Sequence, residues 1–159
     1  MSLAGAIAGG VVGTLVLTSS LRLMQAVGLT RMDIPLLLGT MFSEDRRRAT
    51  AIGYAVHFVN GVVFSLGYAA VFFAVGQAGW LFGGLLGVVH AAFAGGTLVN
   101  ILLPAVHPRM GTPWTDAEET PVLEPAGFML VNYGRHTVIG TLLAHVAYGA
   151  IIGGFTAGL

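Results

Sequence analysis

Three histidines, His57, His90 and His145, lie in long apolar stretches that contain no Asp, Glu, Lys or Arg. An imidazole can ligate a metal, carry a proton, or donate and accept hydrogen bonds. Inside a membrane span any ionisable side chain is a functional candidate until a plainer role is found. Each histidine shares a helical face with small residues. Gly53, His57 and Gly61 are spaced four apart, as are Thr141, His145, Gly149 and Gly153, while Leu86 and His90 share a side with Ala94 and Thr97. The imidazoles are therefore expected to point between helices and away from lipid. Three chemistries fit. His57 and His145, at similar depth, are candidate axial ligands of a b-type haem, with the neighbouring glycines making room for a flat macrocycle. His57, His90 and His145 together are candidate ligands of a transition metal, with Asp33 or Glu124 available at the mouth. A proton or substrate path through the same groups is the third. The plain alternative is structural: each histidine bonds Asn60, Asn100, Thr141 or a backbone carbonyl across a tight interface, at about 0.6 kcal/mol per bond. The spacing contains neither H-E-x-x-H nor a Glu-x-x-His pair, so it does not choose among these.

The remaining polar residues have plainer expectations. Asp33 with Pro35 two residues on predicts a helix N-cap. Asp116, Glu118 and Glu119 read as a solvated acidic turn, with one turn of helix capped by Thr115 and Glu118. Arg46, Arg47 and Arg48 fix topology and touch anionic headgroups. His107 and His136 are expected at the water boundary, solvated. Thr14, Ser19, Ser20, Ser65 and Thr97 show no nucleophile pattern, nothing forms a phosphate loop, and no catalytic residue is expected. With no cysteine, disulfides, zinc-thiolate sites and iron–sulfur clusters are excluded.

The elements that position these residues follow from where charge is absent. Positions 49 to 108, sixty residues between Arg48 and Arg109, contain no formal charge. A bilayer core takes about 20 helical residues to cross, so the run fits two spans with a tight turn near Gly76–Gly79. Met1–Leu21 and His136–Leu159 are long enough for one more span each. The whole chain of 159 residues is 55% hydrophobic and 9% charged, with a mean hydropathy of +0.84. A soluble domain has roughly 25% charged residues. Net charge is zero, which gives no argument for nucleic acid. The N-terminus lacks the basic segment of a cleaved signal, so the first span is expected to be retained.

The expected fold is all-α: a polytopic membrane protein, a four-helix transmembrane bundle in a single domain, 1–159. Spans are placed at about 3–24, 49–75, 80–103 and 136–158, with loops 25–48 and 104–135. A short interfacial helix, Ile34–Phe42, and an interfacial apolar stretch, Ala126–Tyr133, lie within those loops. All seven arginines fall in the two windows Arg22–Arg48 and Arg109–Arg135. By the positive-inside rule both loops are cytoplasmic and both termini periplasmic. Gly5, Gly9 and Gly13 in the first span, with Gly53, Gly61, Gly149 and Gly153, are expected helix-packing positions. Gly83 and Gly87 are placed similarly, for internal packing or for docking a partner or a second copy, and Phe72 and Phe73 suit either use.

The two halves resemble each other. Arg31-Met32-x-x-Pro35 recurs as Arg109-Met110-x-x-Pro113, and Arg48-x-Thr50-x-Ile52-Gly53 as Arg135-x-Thr137-x-Ile139-Gly140. His57-x-x-x-Gly61 then recurs as His145-x-x-x-Gly149, one residue later. This suggests two similar helical hairpins, a pattern found in transporters and in inert bundles alike. Asp33-Ile34-Pro35-x-x-Leu38-Gly39, His57-Phe58-x-x-Gly61 with Gly67-Tyr68-Ala69, and His145-x-x-Tyr148-Gly149 resemble a group of small bacterial four-span membrane proteins known only as a domain of unknown function. The resemblance implies a bacterial inner-membrane protein and carries over no activity. With so little chain outside the lipid, the expected role is non-enzymatic: an accessory or oligomeric subunit that contacts membrane lipids and other subunits or itself. A haem- or metal-binding redox protein is the alternative, and a small-solute or proton transporter the second.

Overall fold

A computed structural model describes residues 1–110 and 123–158. The acidic turn expected at Thr115–Glu119, and Pro113 of the repeat, lie outside the described residues. Among those described there is no strand, and four helices are long and apolar enough to span a membrane: Leu3–Ala26, Arg46–Val75, Trp80–Val106 and Arg135–Ala157. We call the first α1 and the second α3, with the short helix Ile34–Gly39 between them as α2. The third rod is α4 (Trp80–Ala92), a π-helical stretch Phe93–Leu102 and α5 (Leu103–Val106); the last is α6 (Arg135–Ala157). The chain is an all-α polytopic bundle, apolar outside as lipid requires. Leu15, Val59, Leu81, Val89 and Leu143 are each more than half exposed, while Thr14, Ser65, Thr137, Thr141 and Thr156 are buried.

Local chemistry sets the element ends. Asp33 caps α2 by accepting from Leu36 N at 3.0 Å, and its other carboxylate oxygen meets Arg22 at 2.9 Å. Asp45 caps α3 by accepting from Arg48 N at 2.8 Å. Hence α3 starts at Arg46 and not at Ala49, and the three arginines form its first turn. Gly76, at φ 75°, takes the left-handed conformation that ends α3 and turns the chain tightly into α4. The third rod runs to Val106, three residues past the expected end. The interfacial helix is shorter than expected, ending at Gly39, where the chain turns because α2 packs closely against α3.

Packing follows the small residues. α6 is central and lies against both α1 and α4, α1 also packs on α3, and α2 packs on α3. Gly5, Gly9 and Gly13 face Phe155, Ile152 and Tyr148 of α6, and Gly61 faces Thr14 of α1. Gly149 and Gly153 lie against the backbone of Gly83 and Gly79. Gly53 faces Pro35 of α2. Gly83 and Gly87 meet the backbone of α6 at Gly149 and His145, and so are used internally. Of the phenylalanine pair, Phe72 is fully buried and Phe73 is exposed.

The arginine windows meet at one end of the bundle. Arg31 pairs with Glu124 at 3.1 Å, Arg109 with Glu44 at 2.8 Å, and Thr30 Oγ1 with Thr137 Oγ1 at 2.6 Å. Tyr133 donates to the Glu124 carbonyl at 2.9 Å, and burial holds its phenol above the ordinary tyrosine range. At the other end Ser2 N bonds Thr156 O at 2.8 Å, which ties the two termini together.

Candidate functional site

α3 and α4 are consecutive, yet each packs mainly on other elements, α3 on α2 and α1, α4 on α6. Between them lies a cavity of about 150 Å³. His57, Asn60 and Phe64 of α3 form one wall, with His90 of α4 and Ala94, Leu98 and Val99 of the π-helical stretch opposite. Thr141, His145 and Tyr148 of α6 form the back. The floor toward the charged end is apolar, from Met32, Leu37, Leu103 and Leu130. The front-wall residues His57, Asn60, Phe64, His90 and Leu98 are half-buried while His145 is 7% exposed, so the α3–α4 side of the cavity is the one nearer the surface.

The structure brings the three histidines to this one cavity. The imidazole pair in contact is His90 with His145, ring centroids 4.8 Å apart and edge-on, and not His57 with His145. His90 therefore lies at the depth of His145, because α4 and α6 approach along their glycines. His90 also faces Phe64 at 4.3 Å and Tyr148 at 5.6 Å, and its Nδ1 is 3.3 Å from the Tyr68 hydroxyl. Tyr148 donates to the Gly61 carbonyl. His145 Nδ1 lies 2.8 Å from the Thr141 carbonyl. A carbonyl only accepts, so Nδ1 holds the proton, and in the neutral ring Nε2 is left as an acceptor.

Two buried polar atoms on the cavity residues have no hydrogen-bond partner: His57 Nε2 and Thr141 Oγ1. Thr141 departs from a pattern. Thr14, Thr18 and Thr156 each donate to the carbonyl four residues back, at 2.7, 2.6 and 2.6 Å, whereas the Thr141 hydroxyl does not. Sequence reasoning named Thr141 as a face-mate of and partner for a histidine, and it quoted Tyr68 and Tyr148 only within the resemblance, not as site residues. The aromatic residues at i+3 from His145 and i+11 from His57 were the available signal.

His107 is corrected from the solvated position expected of it. It is 3% exposed, because α5 carries it under α2: its Nε2 lies 2.9 Å from the Leu37 carbonyl and its Nδ1 accepts from Arg109 N at 3.1 Å. His136 is exposed, as expected. Asn100 bonds the Gly95 and Gly96 carbonyls at 2.8 and 3.0 Å and serves the π-helical stretch, not a histidine. Met129 and Leu130 have φ of 53° and 65°, a conformation that costs a non-glycine residue about 1–3 kcal/mol, and Leu130 is thereby turned inward to the cavity floor.

The cavity has the size of one that takes a benzene molecule in a protein core, far smaller than a porphyrin with its four pyrrole rings. The glycines beside His57 and His145 leave no further room, since Pro35, Thr14 and Gly83 fill the space at Gly53, Gly61 and Gly149. Among the described residues no group of three or more His, Asp or Glu is placed to hold a metal ion. No family model, no curated protein and no solved structure matches the chain.

Proposed function

We propose that this protein is a small polytopic component of a bacterial inner membrane that binds a small, lipid-soluble molecule within the bilayer. The observation that carries the proposal is the cavity between α3 and α4, apolar along most of its walls, with the uncommitted His57 Nε2 and Thr141 Oγ1 on residues that line it. A well-formed apolar pocket with a few convergent polar groups is the ordinary form of a small-molecule site. The cavity size favours such a molecule over haem, and the histidine geometry favours it over a metal ion. The accessory-subunit role is supported by the small extramembrane part alone, and the cavity supports binding more specifically. By the positive-inside rule the charged end faces the cytoplasm and both termini the periplasm.

Toluene tests the site directly. Purified protein in detergent should unfold at a higher temperature when toluene is added, because a ligand that binds only the folded state stabilises it by mass action. Ala94→Leu fills the cavity from the π-helical wall and should abolish that shift. An equal shift in both proteins would show that toluene acts through the micelle and would remove the proposal.

A further inference from the structure

We propose that the ligand presents a hydroxyl on a single six-membered ring, as a phenol or hydroquinone head does. This deepens the binding proposal above and rests on it. The ring follows from shape. The cavity of about 150 Å³ matches one ring, and three rings surround its polar end: Phe64, His90 and Tyr148, with His90 centred 4.3 Å from Phe64 and 5.6 Å from Tyr148. The hydroxyl follows from the donor and acceptor inventory. His145 Nδ1 donates to the Thr141 carbonyl at 2.8 Å, so Nε2 on the far side of the ring can only accept, and only a donor satisfies it. A hydroxyl both donates and accepts. It can give its proton to His145 Nε2. An ether or an unsubstituted ring leaves the acceptor nitrogen unmatched.

The half-buried α3–α4 side of the cavity is the one nearest the lipid. The aliphatic floor of Met32, Leu37 and Leu130 suits the apolar side of the ring.

The test compares phenol, anisole and toluene on purified protein in lipid nanodiscs. Phenol should bind about tenfold more tightly than anisole, the value of one well-placed hydrogen bond. His145→Phe keeps a flat ring and removes the acceptor nitrogen; it should leave toluene binding intact and reduce the phenol preference to about threefold or less. In protein labelled with ¹⁵N-histidine, phenol should shift the His145 Nε2 resonance and anisole should not, a readout that needs no variant. If toluene binds but phenol and anisole bind equally well with no histidine shift, the hydroxyl proposal falls and the binding proposal stands. If none of the three binds, both fall.

Discussion

His107 shows how much one side chain can hold in a chain of this composition. Its ring bridges two backbone groups on different elements, accepting from Arg109 N at 3.1 Å and donating to the Leu37 carbonyl at 2.9 Å. This pins the end of α5 under α2 at the charged end. Replacing it removes two buried hydrogen bonds, each worth about 0.5–1.5 kcal/mol, and leaves backbone groups unmatched. His107→Ala should therefore lower stability by about 2–3 kcal/mol, measured by reversible unfolding in mixed micelles. His107→Gln, which keeps a donor near the Leu37 carbonyl, should lose less. Equal losses would mean that the ring acts by volume and not by its hydrogen bonds. The sequence could put His107 at the end of the third rod but could not bury it, because its two partners are 70 and 2 residues away and only folding brings the first one near.

At the scale of elements, the close approach of α2 to α3 is the feature most sensitive to a single methyl. A Cβ at Gly53 would collide with the Pro35 carbonyl, and one at Gly39 with the Ala49 carbonyl. Neither obstacle is a flexible side chain, so α2 itself must move. Gly53→Ala should destabilise the bundle by about 1–3 kcal/mol. Gly67, in the same helix, has nothing within 4 Å of its added Cβ, and Gly67→Ala should stabilise by up to about 1 kcal/mol through helix propensity. Paired thermal unfolding curves check the opposite signs. The sequence places Gly53 on a small-residue face with His57 and Gly61 and gives Gly67 no such role, but it does not name the partner. What separates them is α2, whose docking the local pattern does not reveal. The existence of α2 was legible, from Asp33 and Pro35. Its end was not, because Gly39 stops the helix where the chain must turn against Ala49.

For the whole molecule, the gathering of charge at one end is the property with the clearest external consequence. The chain has no cysteine, so single cysteines can be introduced against a silent background. Cysteines at Gln77 and Gly158, at the uncharged end, should react with a membrane-impermeant maleimide added to intact cells with a permeabilised outer membrane. A cysteine at Arg47 should react only after lysis. The opposite pattern would invert the proposed orientation. At this scale the pairing of helices is also unequal. α1 and α6 pack backbone to backbone, while α3 and α4 meet through side chains, Phe64 and Tyr68 against His90. The cavity occupies the looser of these two contacts.

The number of spans, their length and the common end of the arginines were set by the sequence itself, because each depends on a local quantity: apolar length against bilayer thickness, and the position of charge. The gap between α3 and α4, the contact of His90 with His145, and the unmatched hydroxyl of Thr141 were decided only in the tertiary structure. They depend on which glycine faces meet, and every span here carries such a face. A stripe of small residues permits close packing without naming its partner, so the site could emerge only once α6 had taken α1 on one side and α4 on the other.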